Sequence, residues 1–301
     1  MTRVEHVRSV PSSGLGGVLA RHPLVSYFVI AYAVAWVIEV PLALSASGIL
    51  PPVPDLVMFG GIIAATLAPA VAAIIMTGLL EGKAGVARLL RRYLQWRVGV
   101  KWYLFVLVGI PIIIILATSV VPGAIASFTG GVWPLLLAYP LQFLITVFRG
   151  GPLGEEAGWR GFALPRLQER HGPLLGSTIL GVLWSLWHFP LFWTGVWNDP
   201  TISNMLMFIV AITALTIMMS WVYNHVAGSL LITMLMHASF NTFANKVAAP
   251  LFPAPILTEF GMLPLVIGFG VTAVVLIVVT RGRLGYREGG GATGRSNPSR
   301  D

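Results

Sequence analysis

The chain has 301 residues, of which 56% are hydrophobic and 10% charged, and its formal net charge is +8. Soluble domains carry about 25% charged residues, so this composition excludes an ordinary soluble protein and indicates one that lies in a lipid bilayer. The basic residues flank apolar segments, which indicates membrane topology and no nucleic-acid partner. The absence of cysteine excludes disulfides, thiolate nucleophiles and thiolate metal sites.

Apolar stretches long enough to cross a bilayer, which takes about 20 residues, recur along the chain. They predict about eight spans, the fourth long and interrupted, near 24–46, 57–80, 103–122, 133–168, 173–194, 204–224, 226–246 and 261–280. We therefore expect an all-α polytopic transmembrane helix bundle, with a transmembrane domain at 23–281. Residues 1–22 are expected to form a cytoplasmic tail, and the glycine-rich 282–301 a disordered cytoplasmic tail.

The basic residues predict the orientation of these spans. All but one of the 19 Lys and Arg fall on one side of the predicted membrane or on the span that leads to it, and Lys246 is the exception. Positively charged residues are retained in the cytoplasm, so both termini are predicted to be cytoplasmic. The frequent use of Ala, Val, Gly and Arg is typical of bacteria, and we expect a bacterial cytoplasmic membrane.

Several polar side chains fall inside predicted spans, where an ionisable group is costly and is a functional hypothesis by default. They are Glu39, Glu155, Glu156, Arg160, His188, His237 and Asn241. For Glu39 we expect a hydrogen bond to a neighbouring helix. A lone histidine in a membrane more often joins two helices than performs chemistry, but two deep histidines together with a free carboxylate favour a functional site.

The spacing of the two adjacent glutamates separates their roles. Residues four apart share a face of a helix, so Glu156 is predicted to pair with Arg160, which leaves Glu155 available. A Glu/Arg cluster of this kind also occurs as a simple interfacial anchor. The sequence Arg-His-Gly-Pro at 170–173 ends one helix and begins the next. Glu155 and His188 are equally distant from this turn, so they should lie at the same height on antiparallel helices.

The resulting set of side chains favours hydrolysis. His237 and Asn241 share a helix face, and both could donate hydrogen bonds to an oxyanion while Glu155 and His188 activate a water. An alternative is a zinc ion held by Glu155, His188 and His237. Another alternative is a proton-coupled transporter that uses Glu39, Glu155 and His188 as a relay.

Three motifs resemble those of the CPBP intramembrane protease family, which includes the type II CAAX prenyl endopeptidases. They are Glu155-Glu156-Ala-Gly-Trp-Arg160, Trp184-Ser-Leu-Trp-His188 and His237-Ala-Ser-Phe-Asn241, in the family's order and within a core at 140–245. The resemblance implies that Glu155 and His188 activate the water, that His237 and Asn241 form an oxyanion hole, and that Glu156 and Arg160 order the site. The family commonly has Phe where this chain has Trp184, and stacking should survive that change.

The resemblance further implies an intramembrane endopeptidase that cuts a membrane-associated or lipidated peptide or protein, with its site opening to the cytoplasmic side. We expect a glutamate protease without a cofactor, with the zinc-dependent form as the alternative. The expected partners are the lipid bilayer and the substrate. A family member that has no catalytic activity and regulates another protein is a further alternative.

Overall fold

The computed structural model describes residues 13–287 except 129, 150, 198 and 253–259. Within these residues the protein is helical and contains no strand. The helices are α1 Gly14–Arg21, α2 Pro23–Ala46, α3 Asp55–Ala65, α4 Ala68–Arg91, α5 Val100–Ser119, α6 Val132–Arg149, α7 at 152–171, α8 Pro173–Trp187, α9 Ile202–His225, α10 Leu230–Phe243 and α11 Leu263–Thr280. Short 3₁₀ turns follow α4 and α8, and α10 is continued by a wider turn at Ala244–Ala248.

Seven helical segments among the described residues are long and apolar enough to cross a membrane, which confirms an all-α polytopic bundle. The predicted fourth span differs, because 133–168 consists of two helices, α6 and α7. Gly151 has φ of 96°, and Pro152 starts α7 immediately after it. A left-handed glycine followed by a proline at the first helical position ends one helix and starts another. The predicted span at 226–246 is α10 with its continuation, which is not among the seven.

The described ends of the chain lie against the bundle. Within the predicted N-terminal tail, Gly14–Arg21 forms α1. Within the predicted disordered tail, Leu284 is fully buried and its carbonyl oxygen accepts a hydrogen bond of 3.0 Å from Asn224. Residues 1–12 and 288–301, which make up the rest of both predicted tails, lie outside the described residues.

Helix α4 bends sharply within its length, since Gly82 has φ of 67°. The bend directs the end of the helix back to the bundle, where the Arg92 guanidinium donates to the carbonyl oxygens of Gly228, at 2.9 Å, and Gly161, at 3.1 Å. Arg92 also donates to the Tyr223 hydroxyl, at 2.5 Å. One side chain therefore joins the end of α4 to α7, to α9 and to the turn before α10.

Glycines let the backbone of α7 approach the junction of α3 and α4. A Cβ atom on Gly154 would lie 2.6 Å from the carbonyl oxygen of Thr66, and one on Gly158 would lie 2.6 Å from that of Pro69. The two glycines are four residues apart, the small-xxx-small spacing that allows close helix packing in membranes. This packing sets the position of the first turn of α7, which carries Glu155 and Glu156.

We expect Gly158→Ala to destabilise the protein because the added methyl group meets backbone atoms of α4 that cannot move independently. Overpacking of this kind costs about 1–3 kcal/mol, and a lower unfolding temperature in detergent would report it. Gly270→Ala is the matched control, since a Cβ atom there meets nothing within 4 Å and alanine favours helix by up to about 1 kcal/mol. Equal unfolding temperatures for the two variants would contradict the packing argument.

Hydrogen bonds fix α2 beside α8. The Trp36 indole donates to the carbonyl oxygen of Trp187 at 2.9 Å, and the Trp187 indole donates to that of Ala31 at 3.3 Å. The Tyr32 hydroxyl donates to the carbonyl oxygen of Leu183. These bonds set the rotation of α2 and direct Glu39, one turn beyond Trp36, towards the interior.

Candidate active site

The bundle encloses a cavity of about 380 Å³, into which side chains from most of the long helices project. Glu155 of α7, His188 at the end of α8, and His237 and Asn241 of α10 all line it. Trp184 also lines the cavity. The structure thus brings the four candidate catalytic residues from three separate helices to one hollow.

Glu155 lies in the first turn of α7 and is buried. Its Oε2 atom accepts two indole hydrogen bonds, one of 3.1 Å from Trp159 and one of 2.7 Å from Trp184. Its Oε1 atom has no hydrogen-bond partner among the described residues. Two donors on one oxygen orient the carboxylate and leave the other oxygen for a ligand or water in the cavity.

Glu156 joins the arginine and a histidine of the site. Its Oε1 atom accepts from Arg160 Nη1 at 2.9 Å, the pair predicted from the i, i+4 spacing, and from His237 Nδ1 at 3.0 Å. The side chains of Glu156 and Arg160 are completely buried. This carboxylate therefore compensates the arginine and holds the imidazole of His237 in one orientation.

The buried guanidinium of Arg160 has contacts on several sides. Its Cζ atom lies 4.3 Å from the centre of the Trp184 ring, a cation–π contact. Its Nη2 atom donates to the sulfur of Met219 at 2.9 Å. This contact could not be predicted, because Met219 is one of many apolar residues in α9. Trp184 therefore contacts both the arginine and, through its indole nitrogen, Glu155.

His188 caps the last turn of α8 and is held by its own helix. Its Nδ1 atom is 2.8 Å from the carbonyl oxygen of Trp184. A carbonyl oxygen only accepts, so Nδ1 carries the hydrogen and Nε2 of the neutral imidazole keeps its lone pair. The rings of Trp187, Trp197 and Phe208 surround the imidazole at centroid distances of 4.7–5.4 Å. His188 thus presents one basic nitrogen in an aromatic setting.

His237 and Asn241 project from the same face of α10 into the cavity. Because His237 Nδ1 donates to Glu156, its Nε2 atom can donate a hydrogen bond only in the doubly protonated imidazolium. The side-chain amide of Asn241 contains a donor at any protonation state of its neighbours. The two residues are therefore unequal as donors, a distinction that their spacing in the sequence did not indicate.

Glu39, the remaining predicted polar residue, lines the same cavity and is 1% exposed. The expected hydrogen bond to a neighbouring helix is absent, since neither carboxylate oxygen has a hydrogen-bond partner among the described residues. A buried carboxyl without a partner is uncommon, because its desolvation is not compensated.

The zinc alternative requires that Glu155, His188 and His237 converge on one ion. Among the described residues, no group of three or more His, Asp and Glu side chains is placed to hold a metal ion. Glu155 Oε2 accepts two indole N–H groups and His237 Nδ1 donates to Glu156, so Glu155 Oε1 and His237 Nε2 are the atoms that would face an ion. The zinc-dependent form stays a prediction.

Comparison with known proteins gives two matches to parts of this chain. Residues 137–243 match the Rce1-like family, described as type II CAAX prenyl endopeptidase Rce1-like. This match falls on the part of the chain that carries the three motifs and agrees with the resemblance seen in the sequence. A protein named CAAX prenyl protease 2, from Methanococcus maripaludis, is 30% identical over 120 residues, which are 38% of this chain and 43% of that relative. The chain thus aligns with less than half of the relative's length, and the family match includes every residue from Glu155 to Asn241.

Proposed function

We propose that the protein is an intramembrane endopeptidase that hydrolyses a peptide bond with a water activated by Glu155 and His188. The observation that carries this proposal is the convergence of all three family motifs on one cavity inside an apolar helix bundle. The cavity volume is within the range of small-ligand sites, about 300–1,000 Å³, and it suits a short stretch of extended peptide.

The proposed reaction begins with a water between Glu155 Oε1 and His188 Nε2, both of which accept hydrogen bonds. As the water oxygen attacks the carbonyl carbon, one of these bases takes its proton, and the carbonyl oxygen becomes an oxyanion. When the tetrahedral intermediate collapses, the carbon–nitrogen bond breaks and the proton passes to the leaving amine. The products are a carboxylic acid and an amine, and no other co-reactant is consumed.

Asn241 is proposed as the main donor to the oxyanion. Its amide can donate without any change of protonation, and a positioned donor of this kind contributes about 10²–10³ in rate. His237 adds a second donor when it is an imidazolium, and its 3.0 Å hydrogen bond to the carboxylate of Glu156 holds the ring in one orientation. Glu156 and Arg160 act indirectly, because they orient His237 and support Trp184.

The proposed substrate is a membrane-associated peptide or protein. The related archaeal protein is named a CAAX prenyl protease, which makes a lipidated peptide one candidate class for this chain. A substrate anchored in the bilayer would reach an intramembrane cavity by lateral diffusion, without leaving the membrane.

Cleavage of membrane-anchored reporter peptides by the purified protein in liposomes tests the proposal. We expect two peptide products whose masses add up to the reporter plus one water. A transporter would instead move a solute in response to a pH gradient and release no product. Failure of the wild-type protein to cleave any of a broad panel of anchored reporters, lipidated and unlipidated, would contradict the proposal.

Metal removal gives a separate expected result. Because no group of three or more His, Asp and Glu side chains in the described part of the chain is placed to hold a metal ion, we expect cleavage to persist after prolonged dialysis against a chelator. Full inhibition that is reversed by added zinc would support the metal-dependent alternative. Thermal unfolding before and after dialysis is the control, since a chelator should not alter the stability of the bundle.

A further inference from the structure

The basic residues of the described chain gather at one end of the bundle. Contacts between different helices establish this end: Arg166 of α7 pairs with Glu81 of α4 at 3.1 Å, and Trp102 of α5 packs against His225 of α9. The basic residues at this end, here called the basic end, are Arg21, Lys83, Arg88, Arg91, Arg97, Lys101, Arg166, Arg170, Arg281, Arg283 and Arg287. Retention of positive charge in the cytoplasm makes the basic end cytoplasmic.

The cavity lies towards the other end of the same helices. In α5, Thr118 lines the cavity while Lys101 marks the basic end, 17 residues or about 25 Å away along a helix. In α11, Leu265 lines the cavity and Arg281 follows the last turn, about 24 Å away. These separations are most of the thickness of a hydrocarbon core, about 30 Å.

The exposed residues around the cavity are also at the far end. Asn245, which follows α10, lines the cavity and is exposed, and the next residue is Lys246. Trp197, which follows α8, is exposed and lines the cavity as well. Apart from Arg149 and Lys246, the basic residues of the described chain lie at the basic end or, like Arg92 and Arg160, inside the bundle.

We propose that the cavity opens towards the non-cytoplasmic face of the membrane, in contrast to the cytoplasmic opening expected from the sequence. Together with the proposed function, this orientation defines the substrate class as membrane-anchored peptides whose cleaved segment has been exported across the bilayer. The orientation itself depends only on the positions of the charges and the cavity. The orientation can therefore be tested independently of the catalytic activity.

The absence of cysteine in the chain allows a direct test. Lys83→Cys lies at the basic end and Lys246→Cys beside the cavity, and both positions are exposed. We expect a membrane-impermeant maleimide to label Lys246→Cys in intact spheroplasts and Lys83→Cys only after permeabilisation, with no labelling of the wild type. The opposite pattern would overturn the orientation.

A second experiment tests the substrate class. Cleavage of a reporter only when its target segment is exported would support this class, and cleavage only of cytoplasmic segments would overturn the class.

Glu39 supports a second and independent inference about the same cavity. Its carboxyl is 1% exposed, lines the cavity and has no hydrogen-bond partner among the described residues. A buried polar group that lines a cavity and lacks a protein partner can receive a hydrogen bond from a ligand bound there. We infer that Glu39 is a substrate-binding residue that accepts a hydrogen bond from an N–H group of the peptide. The identity of the ligand as a peptide rests on the proposed function.

Replacement of Glu39 by leucine separates this role from a structural one. We expect Glu39→Leu to unfold in detergent at a temperature equal to or higher than that of the wild type, and to raise the KM for anchored reporters by 10-fold or more with a smaller change in kcat. Glu39→Gln, which retains an acceptor oxygen, should recover part of the KM. A lower unfolding temperature with unchanged KM would show a structural role and overturn the inference. Lack of cleavage by the wild type would instead count against the proposed function. The unfolding temperatures of Glu39→Leu and the wild type would still show whether the Glu39 carboxyl lacks a hydrogen-bond partner.

Discussion

Glu155→Gln should lower kcat for peptide cleavage by about 10²–10⁴-fold, the usual contribution of a positioned general base. The glutamine side chain has the same shape and retains an oxygen that can accept from the indoles of Trp159 and Trp184. It cannot take a proton from the attacking water. We therefore expect a loss of rate with little change in thermal stability, measured with an anchored reporter under single-turnover conditions.

Glu169→Gln is the matched control for this prediction. Glu169 belongs to the same helix as Glu155 but lies exposed in its last turn, far from the cavity. We expect its kcat to equal that of the wild type. If both variants cleave at the wild-type rate, the assignment of Glu155 as the base is wrong. If Glu155→Gln also unfolds at a much lower temperature, its loss of activity does not report on catalysis.

Spacing along a single helix was the most informative feature of the sequence. The i, i+4 rule predicted the pair of Glu156 and Arg160, which the structure shows at 2.9 Å. It also placed His237 and Asn241 on one face, and both line the cavity. Relations of this kind depend only on the regular geometry of a helix, so they can be predicted without knowledge of the tertiary structure.

Helix boundaries were harder to predict because long apolar stretches conceal them. The predicted span at 133–168 contains Gly150-Gly151-Pro152, a signal for a break, yet hydropathy alone continues across it. The bend at Gly82 was not predicted either, since the predicted second span ends at residue 80, before this glycine. Its consequence, the return of Arg92 to the bundle, depends on a φ of 67° that composition does not encode.

The individual hydrogen bonds between helices could not be predicted from the sequence, although the matched height of Glu155 and His188 could. The hydrogen bond from His237 to Glu156 joins residues 81 positions apart, and the indole of Trp184 reaches Glu155 across the α7–α8 pair. Both bonds depend on helix rotation and on the close approach that Gly154 and Gly158 permit. The lack of a partner for Glu39 likewise became apparent only when its neighbours were placed.

Arg160→Ala should reduce the free energy of unfolding by about 3–5 kcal/mol, the cost of removing one partner from a buried ion pair. Glu156 would then remain buried without the cation that compensates it, and Trp184 would lose the guanidinium that lies 4.3 Å from its ring centre. Thermal or denaturant unfolding in detergent measures this change. We also expect activity to fall, because both neighbours orient the cavity side chains.

The pair of Arg88 and Glu81 provides the control, with the same separation of 2.9 Å but side chains 54% and 36% exposed. Water screens such a pair, and its contribution is about 0–1 kcal/mol, so Arg88→Ala should change stability little. A double variant, Arg160→Met with Glu156→Gln, should be more stable than Arg160→Met alone because no uncompensated carboxylate is left in the core. If Arg160→Ala and Arg88→Ala cost the same, the buried pair does not stabilise the site as argued. If the double variant is the less stable, Glu156 stabilises the fold through His237 and not through the arginine.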